Sequence, residues 1–187
     1  MGRIIRQVGP YNITLVKNPY ESLVEAIITQ QLSGKAADSI SGRFKSMYPR
    51  YPRPADVLKT SDAKLRRAGL SKMKVSYIKD LSKKIETREI RIRSLEEKSD
   101  EEVVEELTKV KGIGRWTAEM FLIFSLGRLD VLPVGDLGLR KGVQRLFSLD
   151  ELPDAKKIEE LAEGWRPYRT VATWYLWKSQ NQFDKIG

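Results

Sequence analysis

The sequence predicts an all-α protein built as two helical lobes with a cleft between them. Three observations carry this reading. Helix-start signals recur along the 187 residues. Apolar side chains follow them at three- and four-residue spacing. Only YNITLV (11–16) hints at a strand.

Asn18-Pro19 supplies an N-cap and a first-turn proline, and Leu23, Val24, Ile27, Ile28 and Leu32 then form one apolar stripe. A second helix is expected over 35–46, after which YPRYPRP (48–54) breaks the chain as a loop. Ser61 caps a short helix that runs through Ala68 and stops at Gly69. Ser71 starts the next, with Val75, Ile78, Leu81 and Ile85 on one face. Ser99 followed by Asp100, Glu101 and Glu102 is a strong start signal, because carboxylates in the first turn complement the helix dipole. That helix should reach Lys109, and others are expected over 137–147, 154–163 and 167–180. No internal repeat, low-complexity tract or long flexible linker intervenes.

Composition narrows the chemistry. Hydrophobic residues at 41% against 32% charged suit a soluble globular chain, not a disordered one. MGRIIRQVGP lacks a signal-peptide core, and Arg6 stands where a myristoylation signal wants Ser or Thr, so the expected location is intracellular and cytoplasmic. Without cysteine there is no disulfide, thiolate nucleophile, cysteine zinc site or iron–sulfur cluster. Without histidine the usual proton shuttle is missing too, so acid–base work falls to Asp, Glu, Lys or Tyr. Lys and Arg number 34 against 25 Asp and Glu, a net charge of +9 that favours a polyanionic partner, nucleic acid before membrane.

LTKVKGIGRWTAEMFLIF (107–124) reads as a helical hairpin: one helix ends near Lys109, a short turn follows, and a second starts near Arg115. Gly112 and Gly114 can take backbone angles closed to other residues, and they leave no side chain in the way. The N–H groups that open the second helix make an anion site, with Lys109, Lys111 and Arg115 around it. A DNA phosphate fits such a site without any base being read. A tight structural turn would account for the two glycines alone. The full spacing, with apolar residues at 107, 110 and 113 and Ala118 behind them, resembles the helix–hairpin–helix motif of DNA-binding proteins.

Downstream, Asp136 in VLPVGDLGLRKGVQRLF (131–147) sits where a loop meets a helix. Its simplest role is N-cap. Capping and catalysis are compatible, because backbone N–H groups favour the negative charge and fix its direction. Arg140, Lys141 and Arg145 follow on the same helix, suited to phosphates or to plain solvent.

GIGRWTA (112–118) followed by PVGDLGLRK (133–141) resembles the helix–hairpin–helix DNA glycosylase superfamily, and within it the 3-methyladenine DNA glycosylase II branch that acts on alkylated bases. AIITQQLSGKAAD (26–38), LRRAGLSKMKVSYIKDL (65–81) and WRPYRTVATWYLW (165–177) extend the match to about residues 18–180. The resemblance implies one catalytic unit over 1–187: a central helical subdomain over 20–125, and a second made of 1–19 with 126–187, with DNA in the cleft between them. It implies a monomer acting on duplex DNA that contains a damaged base, with no membrane partner. Asp136 matches the catalytic aspartate. Related bifunctional enzymes carry a nucleophilic lysine where Trp116 stands, so hydrolysis without a Schiff base or strand cleavage is expected.

The family flips the damaged nucleotide into a pocket. Trp177 matches an aromatic that stacks on the extruded base and Trp116 a pocket-wall position; an indole attracts a cationic alkylated purine more than a neutral one. Trp165 and Trp174 divide evenly between pocket and core. Met120 stands where the bacterial alkylation enzyme has an aromatic, which allows a different lesion range. That enzyme's extra β-rich N-terminal domain has no counterpart in this sequence. Gln31, within Gln30-Gln31-Leu32, matches the wedge that fills the gap left by the flipped nucleotide, while an alignment through LSGKAAD places Lys35 there. The phosphate-binding hairpin comprises Lys111, Gly112, Ile113, Gly114 and Arg115, and the family binds a monovalent cation, Na+ or K+, on main-chain carbonyls over 109–114. No other cofactor is required. Two alternatives remain: the same scaffold acting on mismatched, deaminated or oxidised bases, and a non-catalytic helix–hairpin–helix DNA-binding protein. A binding module has no need of a carboxylate at Asp136.

Overall fold

Asn18 opens the first long helix as its sequence dictates: its side chain accepts from the N–H groups of Tyr20 and Glu21, and Pro19 fills the first helical position. A cap of this kind is worth about 1 kcal/mol. The computed structural model describes residues 1–180, and among them it contains eleven α-helices and no strand. They are α1 (Gly2–Val8), α2 (Pro19–Thr29), α3 (Gly34–Ser46), α4 (Pro54–Lys59), α5 (Asp62–Arg67), α6 (Lys72–Glu86), α7 (Asp100–Leu107), α8 (Arg115–Phe124), α9 (Leu137–Phe147), α10 (Ala155–Ala162) and α11 (Arg169–Lys178). Single 3₁₀ segments lie at Ile92–Glu97 and Glu163–Trp165.

The chain divides into two compact units, one of Val16–Phe121, the other of Met1–Leu15 with the described residues from Leu122 onward. In the first, α2 packs on α3 and α6, and α4 and α5 pack on α6. Leu23, Val24, Ile27, Ile28, Ile78 and Leu81 are buried there, as the stripes of α2 and α6 require. Leu32 is the exception: α2 ends at Thr29, and Leu32 is left exposed in the following turn. Ser61, Ser71 and Ser99 cap their helices, and Ser99 with Glu102 completes a capping box.

In the second unit α9 and α1 pack on α11, around Leu139, Val143, Ile158 and Leu176. Gly138 and Gly142 permit the close approach: a Cβ on Gly142 would stand 2.7 Å from that of Leu176. YNITLV is not a strand. Among the described residues no chain segment pairs with it; instead Tyr11 meets Trp174 edge-on at 5.2 Å, and the Tyr175 hydroxyl donates to the Gly9 carbonyl just before it. YPRYPRP is a loop only to Arg53, since Pro54 serves as the first residue of α4. Short α1 has no buried residue, which explains why it left no periodic signal.

Candidate functional site

The hairpin of the first unit rests on α6. Gly112 has φ +80 and lies flat against Tyr77, where an added Cβ would come within 2.1 Å of the ring. Glycine is needed there twice, for the backbone angle and for the space. Gly114 differs from the expectation: its φ is not positive, and a Cβ there would meet open space. No packing demand accounts for the bareness of Gly114, which leaves the opening of α8 accessible.

The turn is fixed from two sides. Asp80 accepts from the Lys111 N–H at 2.9 Å, and the Gln30 side-chain amide donates to the Gly112 carbonyl at 2.8 Å. Ile113 is buried as the hairpin's apolar plug. Lys111 is exposed, while Arg115 forms a forked pair with Glu101, whose carboxyl its hydrogen bond holds below the usual range. Helix α8 presents Trp116, 46% exposed, and one turn later the half-buried Met120. The four-residue spacing puts them on one face. Gln31 is exposed with φ +56, a left-handed conformation few non-glycine residues adopt, and Lys35 is exposed on the first turn of α3.

In the second unit Asp136 caps α9, its Oδ1 accepting the Leu139 N–H at 2.6 Å. The same oxygen accepts the indole N–H of Trp177 at 2.7 Å. Phe124 stacks on Trp177 at 6.1 Å between centroids. An ordinary capping aspartate faces water, whereas Asp136 is 7% exposed. Trp177 itself is 1% exposed: Phe124 covers its ring and its indole edge holds the carboxylate. Gly138 makes room for this, since a Cβ there would stand 2.9 Å from Trp177 Cδ1 and 3.0 Å from Asp136 Oδ1.

The loop before Asp136 is stapled to the start of α11. Arg169 donates from Nε to Asp130 Oδ1 at 2.8 Å and from Nη2 to Oδ2 at 2.9 Å, and the Thr170 hydroxyl accepts from the Val131 N–H at 2.9 Å. Sequence reading missed this staple and the packing role of Gly138 and Gly142; the small residues at four-residue spacing in GLRKG were the available signal. Of the candidate phosphate ligands on α9, Arg140 donates from Nε to the Pro153 carbonyl. Trp165 and Trp174 are packing residues, against Phe147 and against Tyr11 and Tyr175. No group of three or more Asp or Glu suited to a metal ion occurs among the described residues, and no helix among them is long and apolar enough to cross a membrane.

Residues 24–167 match the family model described as HhH-GPD superfamily base excision DNA repair protein. The chain is 36% identical over 181 residues to the alkylbase DNA glycosidase-like protein mag2 of Schizosaccharomyces pombe, covering 94% of this chain and 85% of that one. Among solved structures it resembles the S. pombe 3-methyladenine DNA glycosylase Mag1 in complex with abasic DNA, with TM-score 0.86 and 36% identity over 100% of this chain and 93% of that one. It also resembles a DNA-3-methyladenine glycosidase from Bacillus halodurans, with TM-score 0.87 and 42% identity over 99% and 86% of the two chains.

Proposed function

The chain belongs to the HhH-GPD superfamily of base excision DNA repair proteins, and on that premise we propose that it is a DNA glycosylase that excises alkylated bases such as 3-methyladenine by hydrolysis. The observation that carries the mechanism is the Asp136 carboxylate, anchored through one oxygen by the Leu139 N–H and the Trp177 indole. A carboxylate so fixed needs no reorganisation to stabilise positive charge as it develops. The glycosidic bond breaks with its electron pair on the base, and C1′ of the sugar becomes an oxocarbenium-like cation beside Asp136. Water adds to C1′ and loses a proton, leaving an abasic site. An alkylated purine carries a positive charge and leaves as a neutral base, so modest electrostatic help suffices.

The hairpin anchors a phosphate of duplex DNA through the opening of α8, and Gln31 fills the space of the extruded nucleotide. Trp116 and Met120 receive the base; the exposure of the indole supports this role, because a cation–π contact needs an accessible ring face. Trp177 acts as a positioning residue for Asp136. Trp116, where a lyase keeps its lysine, supports hydrolysis without strand cleavage.

The hairpin carbonyls over 109–114 are oxygen donors that fit an alkali cation. Val110 and Gly112 accept from the Ile113 N–H and the Gln30 amide, and each carbonyl keeps a second lone pair. Na+ or K+ bound there would add positive charge beside the phosphate.

A panel of single-lesion duplexes tests the reading, scored for free base and, separately, for strand breaks before and after alkali. Release of alkylated bases with breaks only after alkali is the expected result. Breaks without alkali, with the enzyme trapped covalently on DNA by borohydride, would overturn the hydrolytic assignment.

A further inference from the structure

Helix α6 carries Lys74, Tyr77 and Asp80 at three-residue intervals, hence on one side. Tyr77 and Asp80 hold the hairpin, through Gly112 and the Lys111 N–H. Lys74 turns the other way along the same side: its ammonium donates to the carbonyls of Ile28 at 2.6 Å and Gln30 at 2.8 Å. Those carbonyls belong to the end of α2, where a helix leaves its last acceptors unpaired. Gln30 then joins the two sets. Its carbonyl is gripped by Lys74 and its side-chain amide grips the Gly112 carbonyl. The next residue, Gln31, takes its left-handed conformation and begins an exposed run that continues to Lys35.

We propose that this side of α6 sets the α2–α3 turn and the hairpin as one DNA-gripping piece, with Gln30 and Lys74 as positioning residues that fix the distance between phosphate anchor and wedge. A phosphate bound at the hairpin places the duplex at a set register. The turn then enters the duplex only if its own position is fixed to the same support. A lysine committed to two main-chain carbonyls, and desolvated enough that burial pulls its pKa down, is an expensive way to end a helix. The link to the hairpin gives that arrangement a purpose. The inference rests on the glycosylase reading above.

The test uses the full chain with Gln30→Leu and Lys74→Met, each of which removes the donor and keeps side-chain bulk. Three quantities are measured: duplex affinity, nucleotide extrusion from the fluorescence of 2-aminopurine beside the lesion, and single-turnover base release. In Gln30→Leu extrusion and release should fall together by about tenfold, the size of one lost hydrogen bond, and in Lys74→Met, which loses two, by at least about tenfold, while duplex affinity stays within about threefold. Asp136→Asn should show the opposite split, with extrusion intact and release lost. Unchanged extrusion in a folded Gln30→Leu or Lys74→Met protein overturns the coupling, as does a fall in duplex affinity as large as the fall in release. No release by the unaltered protein refutes the glycosylase reading instead, and full release by Asp136→Asn refutes only the assignment of the chemistry to Asp136.

Discussion

The indole N–H of Trp177 donates to Asp136 Oδ1 at 2.7 Å, joining residues 41 apart in sequence. The oxygen is already bound by the cap N–H of Leu139, so two donors from different helices set the direction of one carboxylate. The pair also explains the local sequence. Gly138 stands where any side chain would strike the indole, and Phe124 covers the ring.

Trp177→Phe removes the donor and keeps an aromatic ring beside Phe124. A hydrogen bond to a charged group contributes about 1.5–3 kcal/mol, so single-turnover base release should slow by roughly 10- to 160-fold. Duplex affinity should not change. Unaltered release would leave Trp177 a packing residue.

Gly112→Ala and Gly114→Ala should separate folding from binding. The first forces a left-handed alanine against Tyr77 and should destabilise the protein by at least about 1–2 kcal/mol. The second meets open space, so its melting temperature should match the unaltered protein while duplex affinity drops. Thermal melts and fluorescence anisotropy read the two effects. Unimpaired binding by Gly114→Ala would place the phosphate elsewhere.

The contrast between these glycines shows where sequence reading reaches its limit. The GIGRWTA spacing located the hairpin, and the start signals at Asn18, Ser61, Ser71 and Ser99 located their helices, because caps and turns act over a few residues. Asp136 was legible as a cap for the same reason. What its carboxylate touches depends on Trp177: the GLRKG spacing signals that α9 packs closely on a neighbour, but no local pattern names α11 as that neighbour. The same holds for Lys74 with α2 and Arg169 with Asp130. YNITLV had the composition of a strand, but a strand needs a partner and the fold supplies none among the described residues.

Asp130 gives stability a pH dependence. Burial alone would raise its carboxyl pKa, but the hydrogen bonds and charge of Arg169, with Arg166 beside it and itself paired to Glu163, hold it below the ordinary range. A depressed carboxyl stabilises the fold above its unfolded value, about 3.9, and that contribution disappears as pH falls through the folded value. Asp130→Asn should therefore melt lower at neutral pH and lose less stability on acidification. Parallel melting-temperature profiles for the two proteins would contradict this.

Trp116 is 46% exposed, so Trp116→Ala should lower the melting temperature less than truncation of the buried Trp177. It should reduce kcat/KM for a cationic methylated purine by more than for a neutral lesion such as hypoxanthine, by about 2- to 30-fold for a lost cation–π contact of 0.5–2 kcal/mol. Equal losses on both lesions would remove charge recognition from its role.

The most direct measurement is single-turnover release of 3-methyladenine from methylated duplex DNA by the unaltered protein and by Asp136→Asn. Neutralising the carboxylate keeps its shape and its place at the start of α9. Release should fall by at least about 10²-fold, in line with loss of a preorganised transition-state charge, with duplex binding retained and no strand break before alkali. Release by Asp136→Asn at the unaltered rate would contradict the assignment of the chemistry to Asp136.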